Sequence, residues 1–286
     1  MPSRRAAPDP DDDRFTTVDR VAWLAGARGP IDADRVAREE PLEIRINQTP
    51  IAVVMRTPGH DEELVRGFLL SERIVAAAEQ ILALRHCATV DRPEAEDNVM
   101  LVRLRDDVQV DLAALRRNLF ASSSCGVCGK ASIEQALALP ELGGRPTSGL
   151  SVTAASLARW PERLRAAQEV FEHTGGLHGA GLFAPGDELL AAFEDVGRHN
   201  AVDKVIGWAA RERVGLRECG LMVSGRVSFE ITQKAVALGI PLIAAVSAPT
   251  SLAVELARAA GLTLVCFVRE QRMCVYAGEQ RIMGAS

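Results

Sequence analysis

Two cysteines, Cys125 and Cys128, stand three apart in the segment Phe-Ala-Ser-Ser-Ser-Cys-Gly-Val-Cys-Gly at residues 120 to 129. A thiolate is the nucleophile that accepts and donates sulfur, and a helix start beside it lowers the thiol pKa. The sequence predicts such a start near Gly129 and Lys130. Small residues and glycines build no apolar stripe, so the segment reads as a mobile loop. Two thiols on such a loop could relay a persulfide or close a disulfide. Two other readings stay open: half of a structural zinc site shared across a dimer, and an inert loop. A second close cysteine pair is absent, and Cys219, Cys266 and Cys274 are not spaced as a set of ligands. A thioredoxin-type motif follows the first strand of a βαβ unit. Here the pair sits mid-chain after a predicted helix, which argues against that fold.

Four further segments carry polar chemistry. Thr174-Gly175-Gly176-Leu177-His178 offers close backbone approach and one imidazole; read blandly, it is a turn with a satisfied histidine. Glu194 to Lys204 packs Glu194, Asp195, Arg198, His199, Asn200, Asp203 and Lys204 into eleven residues. It is expected to line the route from the Cys125 loop to a ligand pocket, with His199 exchanging a proton near neutral pH. The bland alternative is a capped, solvated helix start. Ser247-Ala248-Pro249-Thr250-Ser251 puts Pro249 in the first turn of a predicted helix, with the hydroxyls of Ser247, Thr250 and Ser251 around unpaired amides. That is a phosphate site or ordinary capping. Arg226, in Ser224-Gly225-Arg226, together with Arg269 and Arg272 could clamp phosphates bidentately. Singly, each reads as a surface arginine. Together these pieces point to an anionic, nucleotide-bearing ligand. Neither a Walker A loop nor G-x-G-x-x-G occurs, which disfavours ordinary ATPase or NAD chemistry. Only three of the 33 basic residues are lysine, Lys130, Lys204 and Lys234, and all three fall in or beside these segments. In a chain that otherwise uses arginine, that hints at places where arginine would not serve.

The elements that must position these residues follow from pattern. Residues 1 to about 40 are polar and lack sustained periodicity, so a frayed start with a few ordered turns is expected. Leu42, Ile44 and Ile46 alternate with charged residues as a half-buried strand, paired in a hairpin with Ile51 to Met55. Asp61 is expected to cap a helix with Leu64, Val65, Phe68 and Leu69 on one face. Strands follow near 81–85 and 99–105, then a helix from Asp111 to about Leu119. After the cysteine loop, Thr153 caps a helix to about Val170, and strands are expected over 180–184 and 188–194. A helix is expected over 201–213, then apolar strands over 220–223, 241–246 and 262–268 alternating with helices over 228–238 and 249–260. Apolar strands alternating with helices imply a parallel section buried between helices. Open α/β sheets bind ligands at the carboxyl ends of such strands. The fold class is α/β, α+β overall. It divides into a polar, partly disordered start at 1–40, an α+β lobe at 41–120, the loop at 121–130 and a second lobe with a mixed sheet between helices at 131–286.

Five motifs in order give a resemblance. Ser124-Cys125-Gly126-Val127-Cys128-Gly129, Thr174 to His178, Glu194 to Lys204, Ser224-Gly225-Arg226 and Ser247 to Ser251 resemble the FdhD family of formate dehydrogenase accessory sulfurtransferases, from about Pro41 to Tyr276. Pro58-Gly59, Glu63-Leu64 and Gly67-Phe68-Leu69 are also similar to that family's first lobe. The resemblance implies a carrier that takes sulfur as a persulfide from a cysteine desulfurase to the molybdenum (or tungsten) bis-molybdopterin guanine dinucleotide cofactor of formate dehydrogenase. It implies Cys125 as the persulfide carrier, assisted by Cys128. It implies a cofactor-binding segment at Phe267, Val268, Arg269, Glu270, Gln271 and Arg272, to which His178, Arg198, His199, Ser224, Arg226, Ser247, Thr250 and Ser251 are added. GDP is the expected mimic of the cofactor's nucleotide end, and no permanent metal is expected. A cytidine-deaminase-like second lobe and a homodimer are also implied. The deaminase zinc signature is absent, so zinc and deamination are not carried over. The chain departs from the family where Cys266 precedes Phe267 in place of the common glycine, and where Glu270-Gln271 intervene before Arg272. Two other functions fit the same residues: a nucleotide-binding thiol–disulfide switch and a non-catalytic cofactor chaperone.

Composition sets the outer bounds. At about 100 to 200 residues per domain, 286 residues allow one large domain or two ordinary ones. With 48% hydrophobic and 25% charged residues the chain is not wholesale disordered. A net charge of −5 gives no overall pull toward nucleic acid or an anionic membrane, and neither is expected as a partner. No apolar run reaches the ~18 residues of a membrane span. The polar start, with Asp11-Asp12-Asp13, lacks the apolar core of a signal peptide, so a cytoplasmic protein is expected. In that compartment six cysteines are thiols, ligands or catalytic groups.

Overall fold

A computed structural model describes residues 12–87, 97–110 and 149–284. The C-x-x-C segment and the helix expected from Asp111 lie outside the described residues. The first lobe is a four-stranded sheet in the order β4-β3-β6-β5, with β3 at Glu40–Ile46, β4 at Thr49–Arg56, β5 at Ile81–His86 and β6 at Val99–Leu104. The alternation in β3 does what its period requires: Leu42, Ile44 and Ile46 are all buried. Asn47 and Gln48, both with positive φ, form the two-residue turn into β4. Turns with two left-handed residues match the twist of the strands they join. Helix α1 (Asp61–Ser71) covers the sheet with Leu64, Val65, Phe68 and Leu69.

The second lobe is a six-stranded mixed sheet in the order β13-β12-β11-β10-β8-β9. Its strands are β8 (His178–Phe183), β9 (Leu189–Asp195), β10 (Gly220–Val223), β11 (Leu242–Ala245), β12 (Thr263–Arg269) and β13 (Arg272–Ala277). The expected parallel section is β10, β11 and β12, with β8 and β13 antiparallel on its two sides. Strand alternation sorts the helices onto two faces. Met222, Leu242, Ala244 and Val265 meet Leu157, Trp160 and Leu164 of α2 (Ala154–Ala166). Leu221, Val223, Ile243 and Ala245 share the main core with α4 (Arg198–Arg211), α5 (Phe229–Ala237) and α6 (Ser251–Ala260). On the α2 face, Trp160 stacks on Phe183 at 4.4 Å between ring centres. Short strands β7 (Val152–Thr153) and β14 (Ile282–Met283) pair parallel beside α2.

The two lobes share one core. Residues of β3, β4, β6 and α1 belong to the same buried cluster as α4, α5 and the second sheet. Beside the crossing of α1 and α4, the Lys234 ammonium from α5 donates to Ser71 and Glu72 at 2.8 Å and to both oxygens of Asp203 at 3.0 Å. Burial pushes Asp203 up, and the surrounding acids hold Lys234 well above the ordinary ammonium value.

Several elements differ from the sequence reading. Residues 15–37 form not isolated turns but an antiparallel ribbon, β1 (Phe15–Leu24) and β2 (Ala27–Ala37). Its polar faces carry no burial pattern; it is anchored where Phe15 packs with Val170 and Leu177. The helix capped by Thr153 stops at Ala166, and a separate helix α3 (Glu169–Thr174) turns Val170 into that small cluster. Asp61 begins α1 but does not cap it. Its carboxylate accepts two hydrogen bonds from the buried Arg56 guanidinium, at 3.0 and 2.9 Å, and the cap position falls to left-handed His60 with no side-chain bond. Pro249 precedes α6 instead of opening it, because Thr250 is the cap. The segment 272–277, which gave no strand signal, is β13, held by its pairing to β12. No helix among the described residues is long and apolar enough to cross a membrane.

Candidate functional site

The polar segments singled out above meet at one edge of the second sheet. Because β9 and β10 both run antiparallel to β8, the ends of β9, β10, β11 and β12 all open on that edge, together with the start of β8. The loops leaving these strands are laced to one another by backbone. Gly179 donates to Ser224 Oγ and Ser224 donates back to the Gly179 carbonyl, each at 2.9 Å. Val227 donates to Ala248 and Thr250 donates to Val227, both at 3.0 Å. Phe267 donates to the Ser247 carbonyl at 3.2 Å, and Arg269 Nη1 donates to the Val246 carbonyl at 2.9 Å. The result is a continuous rim of His178, Ser224 to Val227, Ser247 to Thr250 and Phe267 to Arg269.

Three helices of nine residues or more begin on this rim: α4 after Gly197, α5 after Ser228 and α6 after Thr250. Their free amides and dipoles favour an anion. The first turns of α4 and α6 contain no acidic residue, while that of α5 contains Glu230. Thr250 Oγ1 accepts from Ala253 N at 3.3 Å, so this hydroxyl serves the cap as well as the rim.

Between the loops lie His178 and Arg198, and Gly225 makes room for them. A Cβ at residue 225 would stand 3.3 Å from His178 Nδ1 and 3.6 Å from Arg198 Cβ. Burial lowers the His178 pKa, and the Arg198 charge lowers it further against the opposing pull of Asp195. Arg198 Nε is buried and has no hydrogen-bond partner among the described residues. A buried donor left unpaired is costly unless something accepts from it, so an anionic acceptor fits there. Phe267 adds backbone strain: it is left-handed, at φ 55°, within a break in register between β12 and β13. Such strain clusters at ligand sites.

The other predicted residues divide by exposure. Arg226, Ser251, Arg269, Glu270, Gln271 and Arg272 are exposed, and Ser224 and Ser247 are half-buried. The Val268 side chain is fully buried in the core under α2, so only its backbone can meet a ligand. Cys125 and Cys128 lie outside the described residues. Cys219 and Cys266 are buried in the core, and burial pushes their thiols up to about 11 and about 12.

The dense segment 194–204 differs most from its reading as a ligand route. Asp195 is fully buried and accepts from Lys204 Nζ at 2.8 Å, Gly197 N at 2.8 Å, Asn200 Nδ2 at 2.9 Å and Thr57 N at 3.2 Å. Lys204, buried itself, also donates to the Thr57 carbonyl at 3.1 Å. Glu194 accepts from the first amides of α3, Val170 N at 2.9 Å and Phe171 N at 2.8 Å. Burial lowers His199 to about 4, so it is neutral at pH 7 and not the near-neutral exchanger expected of it; its Nε2 lies 3.4 Å from Ser228 Oγ. Among the described residues, Arg198 alone of these side chains has a buried donor with no partner. Sequence reading missed Thr57, which ties the rim's foundation to the first lobe from 138 residues away and carries no local signal. A cavity of about 70 Å³, lined by Arg14, Thr57, His60, Glu194 and Lys204 among others, touches none of the rim residues.

The sequence pattern of the FdhD/NarQ family matches residues 37–283. The chain belongs to the FdhD/NarQ family. It is 49% identical over 275 residues to a protein of Nocardia farcinica named sulfur carrier protein FdhD, covering 96% of this chain and 97% of that one. A Mycobacterium tuberculosis protein of the same name is 50% identical over 270 residues, covering 92% and 97% of the two chains. In three dimensions the chain resembles a crystal structure from Desulfotalea psychrophila, described as a formate dehydrogenase accessory protein. The TM-score is 0.72 at 25% identity, covering 94% of this chain and 99% of that one. The α+β architecture with its mixed sheets is thus a fold of the FdhD/NarQ family.

Proposed function

We propose that this chain is a sulfur carrier for formate dehydrogenase maturation, and that its rim receives the guanine dinucleotide end of a bis-molybdopterin molybdenum or tungsten cofactor as substrate. The observation that carries the reading is the rim itself: three helix starts, an Arg198 donor with no partner among the described residues and a strained Phe267 come together there, which supports a site for a nucleotide phosphate. The names of the relatives supply the reaction class.

The chemistry belongs to Cys125 and Cys128. Cys125 thiolate attacks the terminal sulfur of a desulfurase persulfide. The donor's S–S bond breaks and its cysteine leaves as thiolate, so Cys125 carries the persulfide. Cys128 then attacks the inner sulfur of that persulfide, forming the Cys125–Cys128 disulfide and releasing the terminal sulfur as hydrosulfide. The two thiols supply both electrons, and hydrosulfide is the oxidation level a metal sulfido ligand requires. The buried, high-pKa Cys219 and Cys266 are poor competitors for the first step.

Incubation with a cysteine desulfurase and cysteine should add sulfur to Cys125, read as mass on its peptide and as cyanide-labile sulfur. Sulfur found only on Cys219, Cys266 or Cys274 would overturn the assignment. Formate dehydrogenase matured normally by Cys125→Ala would instead favour a shielding chaperone, and a Cys125–Cys128 disulfide without persulfide would favour a redox switch.

A further inference from the structure

Cys266 of β12 and Cys274 of β13 lie directly opposite one another across the antiparallel pair. Opposed residues project to the same face of a sheet, with Cβ atoms about 4.5–5.5 Å apart. A disulfide spans Cβ atoms about 3.5–4.5 Å apart, so a small approach of the strands suffices. Both thiols are free. Cys266 is fully buried and Cys274 half-buried. The neighbouring Cys274 adds to the burial that raises the Cys266 thiol, so the two sulfurs lie in each other's field.

We propose that Cys266 and Cys274 form a reversible cross-strand dithiol–disulfide pair, oxidised by small-molecule disulfides. Cys274, the more exposed, reacts first. Its thiolate attacks one sulfur of the small disulfide, a mixed disulfide forms, and one small thiolate leaves. Cys266 then attacks Cys274 Sγ, gives up its proton, and displaces the second small thiolate, which takes that proton from solvent. Two protein thiols become one disulfide, and one small disulfide becomes two thiols. The buried Cys266 thiol makes the second step slow and confines it to the adjacent sulfur. The bond closes a loop over left-handed Phe267 and the turn at Glu270 and Gln271, pinning the hairpin that carries residues 267–272. Any effect of that pinning on a ligand rests on the function proposed above; the bond itself does not.

Trypsin provides the test. Arg269 and Arg272 both lie between the two cysteines, so cleavage separates peptide 259–269 from peptide 273–281. The native full-length protein, treated with oxidised glutathione, quenched in acid and digested without reductant, should yield the two peptides joined. Dithiothreitol should separate them, and Cys274→Ser should abolish the joined species while melting like the wild type. The proposal fails if both cysteines stay alkylatable, or if Cys274 carries only glutathione. Joining of Cys266 to any other cysteine, or joining seen only in denaturant, overturns it equally. No nucleotide is present in the assay, so failure of the bond and failure of the ligand reading are distinguishable.

Discussion

Gly67 of α1 rests on the backbone of Asp203, and Gly207 of α4 rests on the backbone of Glu63, so the two glycines serve one helix crossing from opposite sides. A Cβ at either position would collide with a carbonyl oxygen of the other helix. The crossing joins the first lobe to the helix that opens on the rim.

Replacing either glycine therefore sets two effects against each other. Alanine favours a helix interior over glycine by about 1 kcal/mol. Overpacking against rigid backbone costs about 1–3 kcal/mol, sometimes more. The collision here is with main chain, which cannot swing aside, so the clash wins. Gly207→Ala and Gly67→Ala should each destabilise by up to about 2 kcal/mol net, or more where the clash exceeds the usual range, read as a lower urea midpoint. A variant more stable than the wild type would show that the helices are free to separate.

Lys204 gives the second prediction. Its ammonium bridges the Asp195 carboxylate and the Thr57 carbonyl with both charged groups fully buried. Removing one partner of a buried pair costs about 3–5 kcal/mol because the other charge is stranded. Asp195 keeps three other donors, so Lys204→Met should cost about 3 kcal/mol, near the low end of that range. Lys204→Arg should not rescue it, since a planar guanidinium does not fit a point-charge position. Equilibrium denaturation of both variants checks this; a fully stable Lys204→Arg would contradict it.

That lysine shows how far the sequence could be read. The scarcity of lysine drew attention to Lys204 and Lys234, and both are buried ion-pair partners held between the lobes and not ligand groups. Dense charge at 194–204 looks the same in sequence whether it faces a ligand or a partner 138 residues distant. Apolar patterning, by contrast, is local: alternation placed β3, and continuous apolar runs placed the central strands β10, β11 and β12, within a residue or two. The β1–β2 ribbon and β13 were illegible because their order comes from pairing and from a few distant contacts such as Phe15 on Val170. The rim was legible because strand-end loops are set by topology, while the roles of Gly225 and Arg198 within it lie in contacts between distant segments that leave no local pattern.

His199 makes stability depend on pH. Its folded pKa is about 4, depressed by burial and by Arg198 and Lys234, while Glu230 and Glu72 oppose the shift. The unfolded value is about 6.5. Between those values the unfolded chain binds a proton that the folded chain does not. The contribution is therefore fully present above about pH 6.5 and is lost as pH falls toward about 4. Urea midpoints compared at about pH 7 and about pH 4.5 should fall more for the wild type than for His199→Gln. Equal falls would mean that His199 titrates alike in both states.

Arg198 separates ligand binding from folding. A residue held for packing or pairing would lose stability on truncation, but its buried Nε has no partner among the described residues to lose. Arg198→Met should therefore melt within a degree or so of the wild type, keeping an apolar stem in place of the buried one. If the rim takes a nucleotide phosphate, the same change removes a charge-assisted hydrogen bond worth about 1.5–3 kcal/mol. GDP affinity should then fall about tenfold or more, since each 1.4 kcal/mol is a factor of ten. The wild type should gain melting temperature with millimolar GDP by linkage to the folded state. Calorimetry and melting curves on both proteins read the two effects independently. Unchanged GDP affinity in a well-folded Arg198→Met would move the phosphate away from the start of α4. A wild type that does not bind GDP at millimolar concentration would remove the nucleotide from the rim altogether.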